Sequence, residues 1–247
     1  MMRLVISLLL AGAAAAAATH GRWWQVPDAH NPWSPLVIDA TPNWLTRYKL
    51  DRLAARPQAC MAVLSGADMQ MTAVPDDEPA PGCGFRAAVR ISGTRLRTDP
   101  PFVLSCRAAV SFAMWERHVL VPEAGRLLGS APVRLEHYGS YACRNVYGRS
   151  EGRRSQHATA DALDVAGVVL EDGRRITVAR HWQARMPLRR DAGDGSSPDP
   201  EPTREAQFLH AVHHGACRFF SGVLGPEYNA AHADHLHLER GSWRICR

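Results

Sequence analysis

The chain has 247 residues, a formal net charge of +5 and a calculated pI of about 9.1, and its basic residues are arginines except for Lys49. No basic run alternates with aromatic residues, which argues against a nucleic-acid partner; the positive charge instead favours anionic polymers or membrane surfaces. The length suits one domain with an N-terminal elaboration.

The N-terminus has the pattern of an export signal. Residues 1–18 begin with Met-Met-Arg, continue with a strongly apolar run and end in an alanine-rich stretch. A basic start, an apolar middle and small residues at the exit are typical of a signal peptide, which implies a periplasmic or secreted protein. The alanine run could also extend the apolar stretch into an uncleaved anchor. We expect no stable membrane span once the signal is removed.

The rest of the chain divides into a leader and a folded domain. Residues 19–44 are rich in proline, tryptophan and asparagine and indicate an irregular leader, whereas residues 45–247 carry the patterns of a folded domain. The predicted helices are 44–62, 102–118 (with Pro122 marking a break or a restart) and 203–215, and the predicted strands are 133–138, 162–167, 175–178 and 235–239. The remaining predicted segments are a loop over 76–84 and an exposed insertion over 186–202. This order predicts an α+β fold with a small, mostly antiparallel sheet that carries the functional site, and helices packed on one side.

Two polar segments supply residues that are able to bind one metal ion. His157 lies in a loop just before the predicted strand that contains Asp164, and His237 lies in the late strand, where polar and apolar residues alternate. Two imidazoles and one carboxylate leave a fourth position for water, as in catalytic zinc sites. The sequence therefore predicts one Zn²⁺ per chain, bound by His157, Asp164 and His237 in a core of about residues 100–247.

The neighbours of these ligands admit more than one role. Asp234 is the first choice as general base, with His235 as the second choice or as an electrostatic partner; Asp234 could also be only a cap for the strand entrance. Asp161 could replace Asp164 as a ligand, although its position before the strand favours a solvated turn residue. The remaining single histidines are expected to be surface or satisfied polar residues: His137, His181, His210, His213 and His214.

The six cysteines form an even set with no C-x-x-C pair. In an exported chain this number indicates disulfides and argues against a cysteine metal cluster. Proximity along the chain favours the pairs Cys60–Cys83, Cys106–Cys143 and Cys217–Cys246, among the many connectivities that six cysteines allow.

These strings resemble known families. Ser155-x-His157-x-x-x-x-Ala162-x-Asp164 with His235-x-His237 resembles the metal signature of the zinc D-Ala-D-Ala carboxypeptidase, dipeptidase and hedgehog-type metallopeptidase superfamily. More narrowly, the chain from about Cys60 to the C-terminus is similar to bacterial extensin-like C-terminal-domain proteins. The strings that carry this similarity are residues 139–144 (GSYACR), 224–226 (LGP), 231–237 (AHADHLH) and 243–247 (WRICR).

The resemblance implies a zinc peptidase fold that acts on cell-wall peptides. In the wider superfamily an arginine upstream of the first ligand binds or polarises the substrate carbonyl, and Arg144 matches that arginine by order and neighbourhood. One departure is visible, because many members carry glycine where this chain has Ala160. If that position requires a positive φ angle, Ala160 is mildly strained.

The combined interpretation is an exported zinc-dependent peptidase that hydrolyses peptide bonds in peptidoglycan, as a carboxypeptidase or an endopeptidase. Its catalytic residues would be Asp234, His235 and Arg144, and its partners would be peptidoglycan or cell-wall peptides. The alternative is a non-catalytic wall-binding or scaffold protein that retains a zinc site. A third interpretation is metal storage by the histidines, which predicts several metal ions per chain. The sequence leaves the cleaved bond and the oligomeric state open.

Overall fold

A computed structural model describes residues 2–23, 26–184 and 201–247. Almost all of the predicted insertion over 186–202 lies outside these ranges. The chain forms two compact units, Met1–Pro35 and Leu36–Arg247. In the first unit, helix α1 (Met2–Trp23) continues past the predicted end of the signal peptide at residue 18. Among the described helices, none combines the length and apolar character that a membrane crossing requires.

Over the described residues, the second unit contains the remaining α-helices and the strands. Its helices are α2 (Thr46–Leu53), α3 (Pro57–Leu64), α4 (Cys106–Trp115), α5 (Val121–Glu123), α6 (Val178–His181) and α7 (Arg204–Ala216). Its strands are β1 (Gln70–Val74), β2 (Asp77–Ala80), β3 (Cys83–Phe85), β4 (Ala88–Gly93), β5 (Arg97–Ser105), β6 (Pro132–Gly139), β7 (Ala162–Leu170), β8 (Arg175–Thr177), β9 (Gly222–Leu224), β10 (Leu236–Glu239) and β11 (Ile245–Cys246).

Nine of these strands form one sheet in the order β1-β4-β5-β6-β7-β10-β9-β11, with β8 also paired to β7, while β2 and β3 form a separate hairpin. Neighbours in the large sheet are antiparallel except for β5 with β6 and β9 with β11. The α+β class and the mostly antiparallel sheet are therefore confirmed. The sheet is larger than expected, because β1, β4 and β5 precede the first predicted strand.

The predicted helix over 102–118 is wrong at its start. Residues 102–105 belong to β5, where Phe102 and Leu104 lie opposite Ile91 and Val89 of β4. Pairing with a neighbouring strand overrides the helical spacing of these apolar residues. Helix α4 begins only after Ser105, whose hydroxyl oxygen accepts a hydrogen bond from the backbone N–H of Ala108 (3.4 Å).

Of the two predicted outcomes for Pro122, a break or a restart, the break is absent and a new helix, α5, starts there. The chain stays helical from α4 to Leu128, through wide π-type turns at Glu116–Leu120 and Ala124–Leu128 on either side of α5. Proline is tolerated in the first turn of a helix, where its missing N–H has no helical partner to lose. Pro122 is the second residue of α5.

Two further segments differ from the prediction. The predicted loop over 76–84 contains β2 and most of β3, joined by a tight turn in which Gly82 has a positive φ of 71°. The predicted helix over 44–62 is two helices, since Pro57 starts α3 as a first-turn residue. By contrast, the strands over 133–138 and 162–167 are confirmed, and Thr203 caps α7 through the backbone N–H of Ala206 (3.2 Å).

The core is one apolar cluster to which the sheet and the helices α2, α3, α4 and α7 all contribute. Trp115 is fully buried there, and its indole N–H donates to the backbone carbonyl of Val212 in α7 (3.0 Å). In β10, Leu236 and Leu238 are buried in this core. The predicted alternation over 235–239 is thus confirmed, and the polar residues of β10 lie on the opposite face of the sheet.

Three disulfides connect Cys60 with Cys106, Cys83 with Cys143, and Cys217 with Cys246. The third predicted pair is confirmed and the first two are wrong. Helix α3 packs against α4, which joins Cys60 to Cys106, and the β2–β3 hairpin brings Cys83 to the loop after β6. Three disulfides indicate an oxidising compartment.

Candidate metal centre

The site is built on two neighbouring strands and one tight turn. Asp164 in β7 lies directly opposite His237 in β10, so that the register of this strand pair alone brings two of the predicted ligands together. His157 comes from the 3₁₀ turn Gln156–Thr159, just before β7. Ser155 caps this turn, because its hydroxyl oxygen accepts a hydrogen bond from the backbone N–H of His157 (3.3 Å).

The three predicted ligands converge. His237 Nδ1 lies 2.8 Å from Asp164 Oδ1 and 3.2 Å from His157 Nε2, and His157 Nε2 lies 3.1 Å from Asp164 Oδ2. All three side chains are largely buried, with exposed fractions of 4%, 14% and 9% for His157, Asp164 and His237. Within the described residues, this is the one group of histidine, cysteine or acidic side chains with metal-ligand spacing.

The ring nitrogens that face away from this group each have a partner. His157 Nδ1–H donates to the backbone carbonyl of Ser140 (3.2 Å), and His237 Nε2–H donates to Glu239 Oε2 (3.0 Å). The backbone of His157 is held as well, because its carbonyl accepts from the N–H of Ala142 (3.1 Å). Metal-binding histidines usually donate their second N–H to a carbonyl or carboxylate, which fixes the ring and its tautomer.

The charges in the group are strongly coupled. Burial alone would raise the pKa of Asp164, but hydrogen bonds from His157 and His237 and their positive charge hold it well below its usual range. Burial alone would lower the pKa of His237, but the hydrogen bonds and charges of Asp164 and Glu239 raise it to about 9. With a pKa of about 9, His237 is protonated at neutral pH.

His235 lies next to this group, and Asp234 lies on the far side of His235. His235 Nδ1–H donates to Asp234 Oδ1 (2.8 Å), and His235 Nε2 lies 3.6 Å from Asp164 Oδ1. The His235 side chain is 12% exposed and that of Asp234 is 53% exposed. Tyr138 also hydrogen-bonds to Asp234, and its ring packs edge-on against His235. Asp234 thus orients the ring of His235 through its Nδ1–H, while Nε2 of His235 faces the three predicted ligands.

Asp161 is neither a ligand nor a solvated residue, which corrects the expectation that it lies in a solvated turn. Its carboxylate is buried, binds the guanidinium of Arg107 through two contacts of 2.7 and 2.6 Å, and accepts from the hydroxyl groups of Ser105 and Thr159. The preceding Ala160 has a φ of +53° and ends the 3₁₀ turn. A non-glycine residue there costs about 1 kcal/mol, so the mild strain anticipated for Ala160 is present.

The three predicted ligands line a cleft of about 520 Å³. Arg144 lines it, as do two further arginines, Arg153 and Arg244. Arg144 is exposed, and its backbone carbonyl accepts from the N–H of Ser155 (3.0 Å), which joins its loop to the turn of His157. Asp234 is not among the lining residues, whereas His235 is.

Comparison with known families places most of the chain in one of them. The family model described as Extensin-like protein C-terminus matches residues 58–247. The chain belongs to this family. No curated protein and no solved structure matches the chain. The extensin-like match covers both strands of the ligand pair, the turn of His157 and the arginines of the cleft.

The site of this extensin-like chain also contains residues that the sequence did not single out. His232 is buried between the rings of His235 and His237, and burial together with these two histidines lowers its pKa to about 4. Its Nδ1–H donates to Asn229 Oδ1 (2.7 Å). Glu239 is the hydrogen-bond partner of His237, and its one sequence signal was the alternation of His235, His237 and Glu239 at the start of and along β10. Nothing comparable indicated His232, because it lies in a turn.

The five histidines expected to be satisfied polar or surface residues have no part in this cleft. Four have ordinary partners, mostly backbone groups of Pro100, Thr177, Gln183 and Arg247, and the fifth, His214, is exposed.

Proposed function

We propose that the protein is an exported zinc-dependent peptidase that hydrolyses peptide bonds in peptidoglycan. The observation that carries this proposal is the arrangement of His157, Asp164 and His237 around one point at the floor of an open cleft, with the free nitrogen of His235 beside them. A structural zinc site is usually closed by four protein ligands, whereas three ligands and an open side are typical of catalytic zinc.

The donor set fits zinc. It offers two imidazole nitrogens and a carboxylate oxygen, and ligand atoms of a tetrahedral zinc ion lie about 3.3 Å from one another, close to the 2.8–3.2 Å seen between these atoms. The outward-facing ring nitrogens already have acceptors in Ser140 and Glu239. When bound, zinc would lower the pKa of a water molecule and polarise the scissile carbonyl.

The chain's own residues supply the proton transfer. We propose His235 as the general base, since its Nε2 faces the ligands and its Nδ1–H is held by Asp234. This reverses the order of preference that the sequence favours, in which Asp234 comes first. His235 Nε2 would accept a proton from the attacking water and return it to the leaving amine. Arg144 would donate hydrogen bonds to the carbonyl oxygen as negative charge develops there.

The test is metal analysis and product analysis on purified protein incubated with peptidoglycan fragments. We expect one zinc per chain and new peptide termini, both lost in Asp164→Ala and His237→Ala. The matched control is Asp172→Ala, which removes an exposed carboxylate from the β7–β8 turn.

The other outcomes would favour or exclude the alternative functions. One zinc with no cleavage across varied cross-links would contradict the peptidase and favour a wall-binding or scaffold protein. Several metal ions per chain would favour metal storage. A protein that binds no metal would exclude all three.

A further inference from the structure

The cleft beside the metal centre carries positive charge that its own carboxylates do not balance. Three arginines, Arg144, Arg153 and Arg244, line it together with two carboxylates, Asp164 and Glu239. Both carboxylates are engaged by the metal-binding imidazoles. Over residues 26–184 and 201–247, none of the three guanidinium groups forms an ion pair with an acidic side chain. A bound zinc ion would increase the excess of positive charge.

Two of these arginines come from fixed backbone in different parts of the chain. Arg153 precedes the turn of His157, and its carbonyl accepts from the backbone N–H of Val146 (3.0 Å). Arg244 precedes β11, which pairs with β9 and is tied to the end of α7 by the Cys217–Cys246 disulfide. Both side chains are exposed. The fold thus holds two guanidinium groups at the cleft without assigning either to an internal partner.

The lining of the same cleft also includes a residue with strained backbone. Tyr147 lines the cleft with a φ of +57°, and its hydroxyl oxygen accepts from Asn229 Nδ2 (2.9 Å). Its neighbour Tyr228 hydrogen-bonds to the same hydroxyl group. Left-handed backbone in a bulky residue costs about 1–2 kcal/mol and persists where surrounding contacts enforce it, most often at binding sites. The contacts of Tyr147 therefore point to a ligand surface beside the arginines.

We propose that Arg153 and Arg244 bind a carboxylate of the substrate, which makes the cleft selective for peptides with a free carboxylate close to the scissile bond. This inference rests on the proposed peptidase function and adds the chemistry of its substrate. Guanidinium groups bind carboxylates through paired, charge-assisted hydrogen bonds, and unpaired arginines in a cleft also attract anionic ligands over distance. The carboxylate belongs either to the C-terminus of the peptide or to an acidic side chain.

The test is calorimetric titration of zinc-loaded and chelator-treated protein with three peptides. They are N-acetyl-D-alanyl-D-alanine, its C-terminal carboxamide, and N-acetyl-D-alanyl-D-isoglutamine, whose carboxylate is on the side chain. We expect at least one carboxylate peptide to bind about tenfold more tightly than the carboxamide. The peptide that shows the preference identifies which carboxylate is recognised.

The preference should be lost in Arg153→Ala and Arg244→Ala and partly retained in the corresponding lysine variants, which keep the charge but not the paired geometry. The matched control is Arg90→Ala, which removes an exposed arginine of β4 outside the cleft. Thermal unfolding of each variant checks its fold, and the lysine variants provide the test where an alanine variant fails to fold.

Equal affinity for all three peptides would overturn the inference, as would a preference that survives in the Arg153→Ala/Arg244→Ala double variant or disappears equally in Arg90→Ala. A preference that chelation abolishes and the arginine variants leave unchanged would mean that the metal binds the substrate carboxylate. That outcome would also overturn the inference. Hydrolysis is measured separately. Arginine-dependent binding without cleavage would retain the carboxylate subsite and remove the peptidase function.

Discussion

The assignment of the general base makes the sharpest prediction. His235 and Asp234 are adjacent in sequence, but their side chains differ in what they face. His235 Nε2 lies 3.6 Å from Asp164 Oδ1 in the cleft, whereas the carboxylate of Asp234 contacts the other side of the His235 ring and is half exposed. We therefore expect His235→Ala to remove the base itself and Asp234→Ala to remove only its orientation.

The expected magnitudes follow from these positions. Loss of a positioned general base costs about 10²–10⁴-fold in turnover. An orienting hydrogen bond to a charged but half-exposed carboxylate contributes about 1.4 kcal/mol, so that Asp234→Ala should lose roughly tenfold. Neither residue is among the three ligands, and both variants should keep one zinc per chain.

The assay is kcat on a peptidoglycan fragment that the wild-type protein cleaves, with zinc content measured on the same samples. Tyr138→Phe serves as the graded control, because it removes the more remote hydrogen bond to Asp234 and keeps the ring against His235; its loss should be smaller than that of Asp234→Ala. If Asp234→Ala loses as much turnover as His235→Ala while zinc is retained, Asp234 is the general base and His235 is not.

Three further predictions concern pH and stability. Because the carboxylates around His237 raise its pKa to about 9, zinc must displace a proton to bind. The apparent zinc affinity should therefore rise by about tenfold per pH unit between pH 7 and 9 from this proton alone. Competition with a chromophoric chelator measures the affinity, and an affinity independent of pH would contradict the prediction. Burial raises the pKa of Glu116 from 4.5 to about 7, so the stability associated with its neutral form is present below pH 4.5 and lost as pH rises through 7. In Glu116→Gln, the amide oxygen can still accept a hydrogen bond from Thr94. In urea unfolding, the free energy of unfolding of this variant minus that of the wild type should therefore rise by about 3 kcal/mol between pH 4.5 and 8. A difference that does not change with pH would be inconsistent with the buried carboxyl. Replacing Cys83 and Cys143 by serine should cost about 2–4 kcal/mol of stability. The replacement should also reduce turnover more than zinc content, because the loop of Arg144 loses its covalent tie. Equal losses of turnover and zinc content would argue against a role for that loop in catalysis.

The face on which His237 lies was predictable because it depends on a local rule. A period of two in a strand places His237 and Glu239 on one face and Leu236 and Leu238 on the other, and this holds whichever strands are neighbours. The same alternation, continued one residue before β10, places His235 on the side of His237, and His235 does line the cleft. The sequence did not indicate that the Asp234 carboxylate would contact the other side of the His235 ring.

The errors in the fold come from contacts between distant segments. Residues 102–105 have helical spacing, but they pair with β4, and the first two cysteine pairs depend on how α3 and the β2–β3 hairpin pack. Arg153 and Arg244 reach the same cleft from loops about ninety residues apart. Spacing along the chain carries no information on such contacts until the order of strands is known.

The position of β10 has a consequence for the time at which the metal centre can form. This strand inserts between β7 and β9, and it supplies His237 about seventy residues after Asp164 in the chain. Chains are synthesised from the N-terminus. During synthesis, His157 and Asp164 emerge before His237, and the edge of β7 has no partner on that side until β10 docks. Binding of the proposed metal ion would thereby be coupled to the docking of β10, which joins β9 and β11 to the rest of the sheet and brings the third predicted ligand into place.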